Sequence, residues 1–351
     1  MDSNICIGCG VSGAKFYCGL CETAPLCSDR CRDSVWPTHR ERCAGKADLI
    51  EQTNEDRQLA WKDDPDYLTR FEVETQLGSG AFGQVWKARA LATGEVFALK
   101  IITKADKLGN DVSRLKSLSA WPNCAPFVTC YYEHRRIPDP LYYPLRPITW
   151  AYAIRLSYVD GVDMMRFKCK PAEKMDVLLQ LLDSALQGLI YVHGRDIVHG
   201  DLKPENLLIP VDAPLRIVIA DFGLSCQLSS GKDTCEKLVG TPTYMAPEVA
   251  GRRALPSKLA DVFSLGAAFY YLASGVKNSE RQEPPWVQEA QAPILFKPNK
   301  KVHSKAMLKL SIFANFASQP RMRVLHRMLA WEAGNRPTAA EALHEFTGAP
   351  N

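Results

Sequence analysis

Seven of the 12 cysteines in this 351-residue chain fall within its first 43 residues. They occur as Cys6, Cys9, Cys18, Cys21, Cys27, Cys31 and Cys43, with His39 between the last two. Residues 1–45 contain no long apolar run, and so short a segment cannot bury enough surface to hold itself together by hydrophobic burial alone. The ligands come in four short pairs. A Cys-x2-Cys pair lets both sulfurs of one tight turn reach one ion, and the x3 pairs Cys27/Cys31 and His39/Cys43 suit a helical turn, where i and i+4 share a face. Seven thiolates and one imidazole suffice for two tetrahedral zinc sites of four ligands each. Because all the ligands are protein atoms, no coordination position stays open, so the expected zincs are structural and contribute to folding.

Beyond this cluster the chain reads as an ordinary globular protein. Hydrophobic residues make up 46% and charged residues 23%, enough to build a sizeable core. A net charge of +4 over this length and the lack of long like-charge runs argue against a nucleic-acid or membrane binder. Residues 1–45 balance five basic against five acidic residues, which again leaves no basic face for DNA. The N-terminal "MDSNICIGCG" has no apolar centre, so no secretory signal is expected. The longest apolar stretch, "VFSLGAAFYYLASG", is short for a membrane span and reads as a buried helix. A cytoplasmic or nuclear location is therefore expected, where clustered cysteines bind metal more often than they form disulfides. Residues 46–70 are charged and net acidic and read as a linker helix or as a segment docked on the next domain. From Phe71 the pattern is mixed: strand-like alternation with "ATGE" as a hairpin turn, then apolar residues at helical spacing in "MDVLLQLLDSALQGLIYVHGR".

The cysteine pattern, with "VWPTHRERC" at its end, resembles the MYND zinc finger. That resemblance implies interleaved ligands: Cys6, Cys9, Cys27 and Cys31 on one zinc, and Cys18, Cys21, His39 and Cys43 on the other. A RING finger places its histidine earlier in the pattern. MYND fingers bind short proline-containing peptides, which implies a peptide partner here. Trp36 would serve either that groove or the module's small core.

The remaining motifs carry phosphate chemistry. "LGSGAFGQV" holds Gly78, Gly80 and Gly83 in G-x-G-x-x-G spacing between Leu77 and Val85, with Lys100 following in "VFALK". A dinucleotide fold would put these glycines between a strand and a helix; here they lie between two strand-like runs. "HGDLKPEN" supplies Asp201, Lys203 and Asn206, and "DFG" supplies Asp221. "GTPTYMAPE" ends at Glu248, "DVFSLG" begins at Asp261, and "GNRPT" contains Arg336. In this order and spacing the set resembles the eukaryotic protein kinases over residues 71–348. The fold implied is α+β and bilobal, with a small β-rich lobe and a large helical lobe, preceded by the two-zinc finger at 1–45 and a linker at 46–70.

The resemblance assigns roles. Asp201 accepts the proton of a protein hydroxyl, Lys203 lies near the γ-phosphate, and Asn206 and Asp221 hold Mg²⁺. Leu77, Gly78, Gly80, Gly83, Val85 and Lys100 contact ATP. "LSYVDGVD" resembles the hinge, with Leu156 as gatekeeper, Ser157 and Val159 on the adenine and Asp163 on the ribose. Lys203 and Thr241 bracket Asp201, and with "LKPEN" they imply serine/threonine specificity. Glu248 pairs with Arg336, and Asp261 braces the catalytic-loop backbone. Two positions depart from the family. Asp111 stands where a helix glutamate pairs with Lys100, one methylene and about 1.5 Å shorter in reach. Gly200 stands where an arginine ordinarily draws in a phosphorylated activation-loop residue. An active kinase independent of activation-loop phosphorylation is the expectation. A pseudokinase scaffold and a zinc-finger transcriptional regulator are the alternatives.

Overall fold

In the computed structural model, the residues described are 63–80, 83–102, 109–138, 150–170, 173–212, 214–274, 300–301, 303–305, 307 and 320–348, with four further two-residue strands. Two of those strands, β1 (Phe16–Tyr17) and β2 (Pro25–Leu26), pair antiparallel near the N-terminus. The eight expected zinc ligands lie outside the described residues.

The chain divides into two compact units. The first takes in residues up to Val112 and Tyr132–Ser157. Its frame is a five-stranded sheet of β3 (Phe71–Gly80), β4 (Gly83–Ala90), β5 (Val96–Ile102), β6 (Tyr131–Pro138) and β7 (Trp150–Ser157), ordered β3-β4-β5-β7-β6. The β4–β5 hairpin turns at Gly94, which has φ +73, as the "ATGE" signal predicts. β5 is central and apolar, "VFALKII", and its lysine is buried there: Lys100 pairs with Val85 on β4 and Ile154 on β7 and is 4% exposed.

Residues 63–70, inside the stretch read as linker, are a docked segment. Asp63 makes a two-point pair with Arg136 at 2.6 and 2.9 Å, and the 3-10 turn Tyr67–Arg70 leads directly into β3. Tyr67 is buried among Ala88, Phe97, Leu99 and Ile137 and packs edge-on against Phe71. Its hydroxyl donates to Glu133 at 3.1 Å. Burial, with Glu133 beside it, pushes the phenol pKa well up.

The second unit takes in Ser113–Tyr131 and everything from Tyr158. Helix α1 (Gly109–Leu118) runs from one unit into the other. Strand β8 (Gly161–Asp163) joins β10 (Leu207–Pro210) and β11 (Val218–Ile219) in a three-stranded sheet, and β9 (Ile197–Val198) pairs with β12 (Cys226–Gln227). The helices are α2 (Lys174–His193), a single turn α3 (Pro247–Ala250), α4 (Lys258–Ser274), α5 (Arg323–Met328) and α6 (Ala339–Thr347). By length and composition α2 alone among described helices is apolar enough to cross a membrane. It buries Leu181, Leu182, Ala185, Leu186 and Leu189 within this unit, as a core helix does. The apolar run expected to be a buried helix lies in α4 from Val262 to Ser274. Strands β13 (Val287–Gln288) and β14 (Lys297–Pro298) pair with each other.

Four of the five cysteines outside the cluster form two disulfides, Cys124–Cys130 and Cys226–Cys235, while Cys169 is a free thiol. The expected cytoplasmic or nuclear location gives no reason to expect either bond.

One buried histidine ties this unit's stability to pH. His303 Nε2 lies 2.8 Å from the Leu329 carbonyl, with the ring edge-on to Trp331. Burial lowers its pKa to about 4. The unfolded chain takes up this proton near pH 6.5, so the contribution is complete above that pH and fades as pH falls toward 4. Unfolding at pH 7 and pH 4.5 should therefore differ, with His303 accounting for on the order of 2 kcal/mol. His303→Gln should reduce that difference in denaturant titrations at the two pH values.

Candidate active site

The catalytic-loop residues sit between β9 and β10, and their backbone is held from below by one carboxylate. Asp261, 2% exposed in the first turn of α4, accepts from His199 N at 2.7 Å and from Gly200 N at 2.9 Å. His193 Nε2 at the end of α2 lies 3.0 Å from the same carboxylate. A buried carboxylate is costly unless its oxygens are satisfied, and here three groups satisfy it.

His199 has no role that the sequence motifs assign, yet it joins three parts of the site. Its Nε2 lies 3.0 Å from Ala220 O, and its Nδ1 accepts from Asp201 N at 3.2 Å. Its ring packs against Phe222 of the "DFG" triplet. The signal was its place two residues before Asp201, within the quoted motif.

Asp201 is 7% exposed and engaged on both oxygens. Oδ1 accepts from Thr241 N and Thr241 Oγ1, each at 2.6 Å. Oδ2 lies 2.9 Å from Lys203 Nζ, which also donates to Thr241 Oγ1 at 3.0 Å. Lys203 and Thr241 therefore bracket Asp201, the arrangement expected from the sequence. Asn206 closes the 3-10 turn Pro204–Asn206; its Nδ2 donates to Asp201 O at 2.8 Å, and its carbonyl accepts from Ala220 N at 2.9 Å. The β10–β11 register, Leu207 opposite Ile219, brings Asn206 and Asp221 to the same end of that pair. Asp221 has φ +59, uncommon for a residue with a side chain and a form of strain that collects at functional sites. An amide oxygen and a carboxylate are hard donors. That set fits Mg²⁺, which takes one or two protein oxygens and completes its shell with water and phosphate. Among the described residues no three-member His/Cys/Asp/Glu cluster is present.

Gly200 also has a conformational role. Its φ is +76, and a Cβ there would lie 3.0 Å from Leu224 O. Gly240, at φ +119, backs onto it: a Cβ on Gly240 would fall 2.5 Å from Gly200 O. The catalytic loop and the segment leading to Thr241 thus touch backbone to backbone.

The glycine-rich residues belong to the first unit. Leu77, Gly78 and Gly80 end β3, and Gly83 and Val85 begin β4, with Val85 opposite Gly78. Gly83 has φ +119, and a Cβ on it would meet Ile101 O at 2.1 Å, so only glycine fits. At Gly78 a Cβ would meet nothing within 4 Å, which leaves the strand open above the backbone. Asp111 lies on α1, and its side chain is outside the described residues. Leu156 and Ser157 end β7, with Leu156 nearly buried, and Val159 is half-buried beyond them. Asp163 on β8 accepts from Arg166 N at 2.9 Å.

The activation segment ends in the pair expected from the sequence. Arg336 NH1 and NH2 each lie 2.7 Å from a different Glu248 oxygen. The guanidinium also reaches the carbonyls of Ala330, Trp331 and Leu259 and lies over the Phe263 ring.

A family model of the protein kinase domain matches residues 71–346. The chain is 31% identical to the Serine/threonine-protein kinase dst1 of Dictyostelium discoideum over 292 residues, covering 81% of this chain and 35% of that protein. It is 31% identical to CBL-interacting protein kinase 26 of Oryza sativa subsp. japonica over 217 residues, 59% of this chain and 41% of that protein. To the Maternal embryonic leucine zipper kinase of Danio rerio it is 34% identical over 217 residues, 59% of this chain and 29% of that protein. The chain thus spans less than half the length of these three relatives. With the match extending over most of its length, the chain belongs to the protein kinase family.

Proposed function

We propose that the chain is an active serine/threonine protein kinase whose N-terminal zinc finger recruits a peptide partner. The observation that carries the reading is the Asp201–Lys203–Thr241 cluster, in which a buried carboxylate is held on both oxygens next to a lysine ammonium. Asp201 orients the hydroxyl of a protein Ser or Thr and accepts its proton. Lys203 and Lys100 place fixed positive charge where negative charge develops on the phosphoryl oxygens. Asn206 and Asp221 would hold Mg²⁺, and Leu77, Gly78, Gly80, Gly83 and Val85 would line the phosphates. Ser157, Val159 and Asp163 would meet the nucleoside. ATP with Mg²⁺ supplies the transferable γ-phosphoryl group. The Thr241–Lys203 contacts support serine/threonine preference, as do the names of the relatives.

The test uses the full chain with labelled ATP, Mg²⁺ and a generic basic protein substrate, alongside Asp201→Asn and Asp221→Asn. Equal signal from all three would end the enzyme reading and leave a protein that only binds partners.

Gly200 supports a site that works without activation-loop phosphate, because it offers no cation to receive one. Alanine at Ser229, Ser230 and Thr234 together should change the transfer rate less than about threefold, since no charge-assisted bond is lost. A steady-state assay of the triple variant checks this, and a drop of about ten times or more counts against it.

For residues 1–45, the cysteine spacing supports two structural zincs on Cys6, Cys9, Cys27, Cys31 and on Cys18, Cys21, His39, Cys43. Metal analysis should find about two zinc ions per chain, and Cys18→Ser should remove about one. A chain purified without zinc, yet with that segment folded by NMR, would refute the finger.

A further inference from the structure

We propose that the Cys226–Cys235 disulfide is a redox clamp that holds the activation segment in its ordered form, the task that Gly200 leaves without an arginine. The inference rests on the kinase reading above for its effect on catalysis, and on geometry for the clamp itself.

Both ends of the bond are fixed to structure that supports the catalytic loop. Cys226 lies on β12 directly opposite Val198, the residue preceding His199, and three residues after Gly223. Cys235 is buried; its N–H donates to Pro256 O at 2.8 Å, and Thr234 bridges to Ser257. Those residues lead into α4, whose Asp261 holds the Gly200 and His199 amides. The bond closes a short loop, with a separation of 9 residues. Within it Ser229, Ser230, Gly231, Lys232 and Asp233 are exposed. Beyond it, only five residues separate Cys235 from Thr241, which holds Asp201. On that short path Val239 and Gly240 pack against Gly200. Slack at Cys235 therefore reaches the contact that orients the proposed base.

The chemistry is thiol–disulfide exchange with a small or protein dithiol. One thiolate of the dithiol attacks Sγ of the half-buried Cys226, forming a mixed disulfide as the Cys226–Cys235 bond breaks. Cys235 leaves as a thiolate and takes a proton from water. The second thiolate of the dithiol then attacks the mixed disulfide, releasing Cys226, which is protonated in turn. The protein gains two electrons and two protons, and the dithiol becomes a disulfide. In a reducing compartment, disulfides that form at all are chiefly transient or redox-sensing, which is what a clamp of this kind requires.

The experiment treats the full chain with dithiothreitol or its oxidised form, then follows three things: the cross-linked 226–235 peptide by mass spectrometry, tryptic cleavage after Lys232 and Lys237, and phosphotransfer. Reduction should speed cleavage at those lysines about tenfold or more, as loop-closure constraint is lost. Transfer should fall about fivefold or more, and re-oxidation should restore both. Cys226→Ser/Cys235→Ser should sit at the reduced level in either condition, whereas Cys124→Ser/Cys130→Ser should respond as wild type. Absence of the cross-link in oxidised protein overturns the proposal, as does cleavage that is indifferent to its reduction. Cleavage that responds while no transfer occurs in either state supports the clamp and sinks the kinase reading instead.

Discussion

Asp201→Asn is expected to lower phosphotransfer about 10²- to 10⁴-fold, the contribution of a positioned general base, with little change in the KM for ATP. The substitution keeps the size of the side chain. An amide oxygen in place of Oδ1 can still accept from Thr241 N and Oγ1, which now bind at 2.6 Å. The amide nitrogen, however, would face Lys203 Nζ where a carboxylate oxygen now lies at 2.9 Å. The proton acceptor and the lysine's counter-charge are lost together, while the Asp261 contacts beneath the loop are untouched. Steady-state kinetics with a thermal melt of the same sample separate chemistry from folding. A variant within about threefold of wild type at unchanged stability would remove Asp201 from the chemistry.

Arg336→Ala is expected to destabilise the second unit by about 3–5 kcal/mol, the usual cost of removing one partner of a buried ion pair. The Arg336 side chain is fully buried, and Glu248 is 17% exposed at its own. Truncation strips the carboxylate of both 2.7 Å bonds and leaves the Ala330 and Trp331 carbonyls without their donor. Lysine should recover little, because a single ammonium cannot span both carboxylate oxygens and the carbonyls at once. Urea titrations of wild type, Arg336→Ala and Arg336→Lys check the ranking. A loss under about 1 kcal/mol would place this pair among ordinary surface bridges.

What could be read from the sequence was the part encoded as local runs with characteristic spacing. Asp201, Lys203 and Asn206 lie within six residues, and "DFG" abuts an apolar strand, so their proximity comes from short loops. The Glu248–Arg336 and Asp261 contacts span 88 and 61–62 positions, and only the resemblance to kinases reached them. Other features had no such route. Cysteine connectivity does not follow from spacing, so Cys226–Cys235 was invisible. His199 reads as a mere neighbour of Asp201, because its contacts with Ala220 O and the Phe222 ring depend on where the strand before "DFG" lands. Gly200 reads as a missing side chain; its positive φ and its contact with Gly240 emerge only once both loops are folded. Tyr67 reads as part of a linker because charged and polar neighbours conceal a single buried ring.

That ring has a practical consequence. The family match begins at Phe71, yet the physical edge of the first unit lies upstream of it. A chain shortened to begin at Phe71 would leave an oily gap beside Phe97 and Ile137 and leave Glu133 and Arg136 without Tyr67 and Asp63. Such a fragment would be prone to self-association. Any attempt to study the catalytic region alone should cut before Asp63.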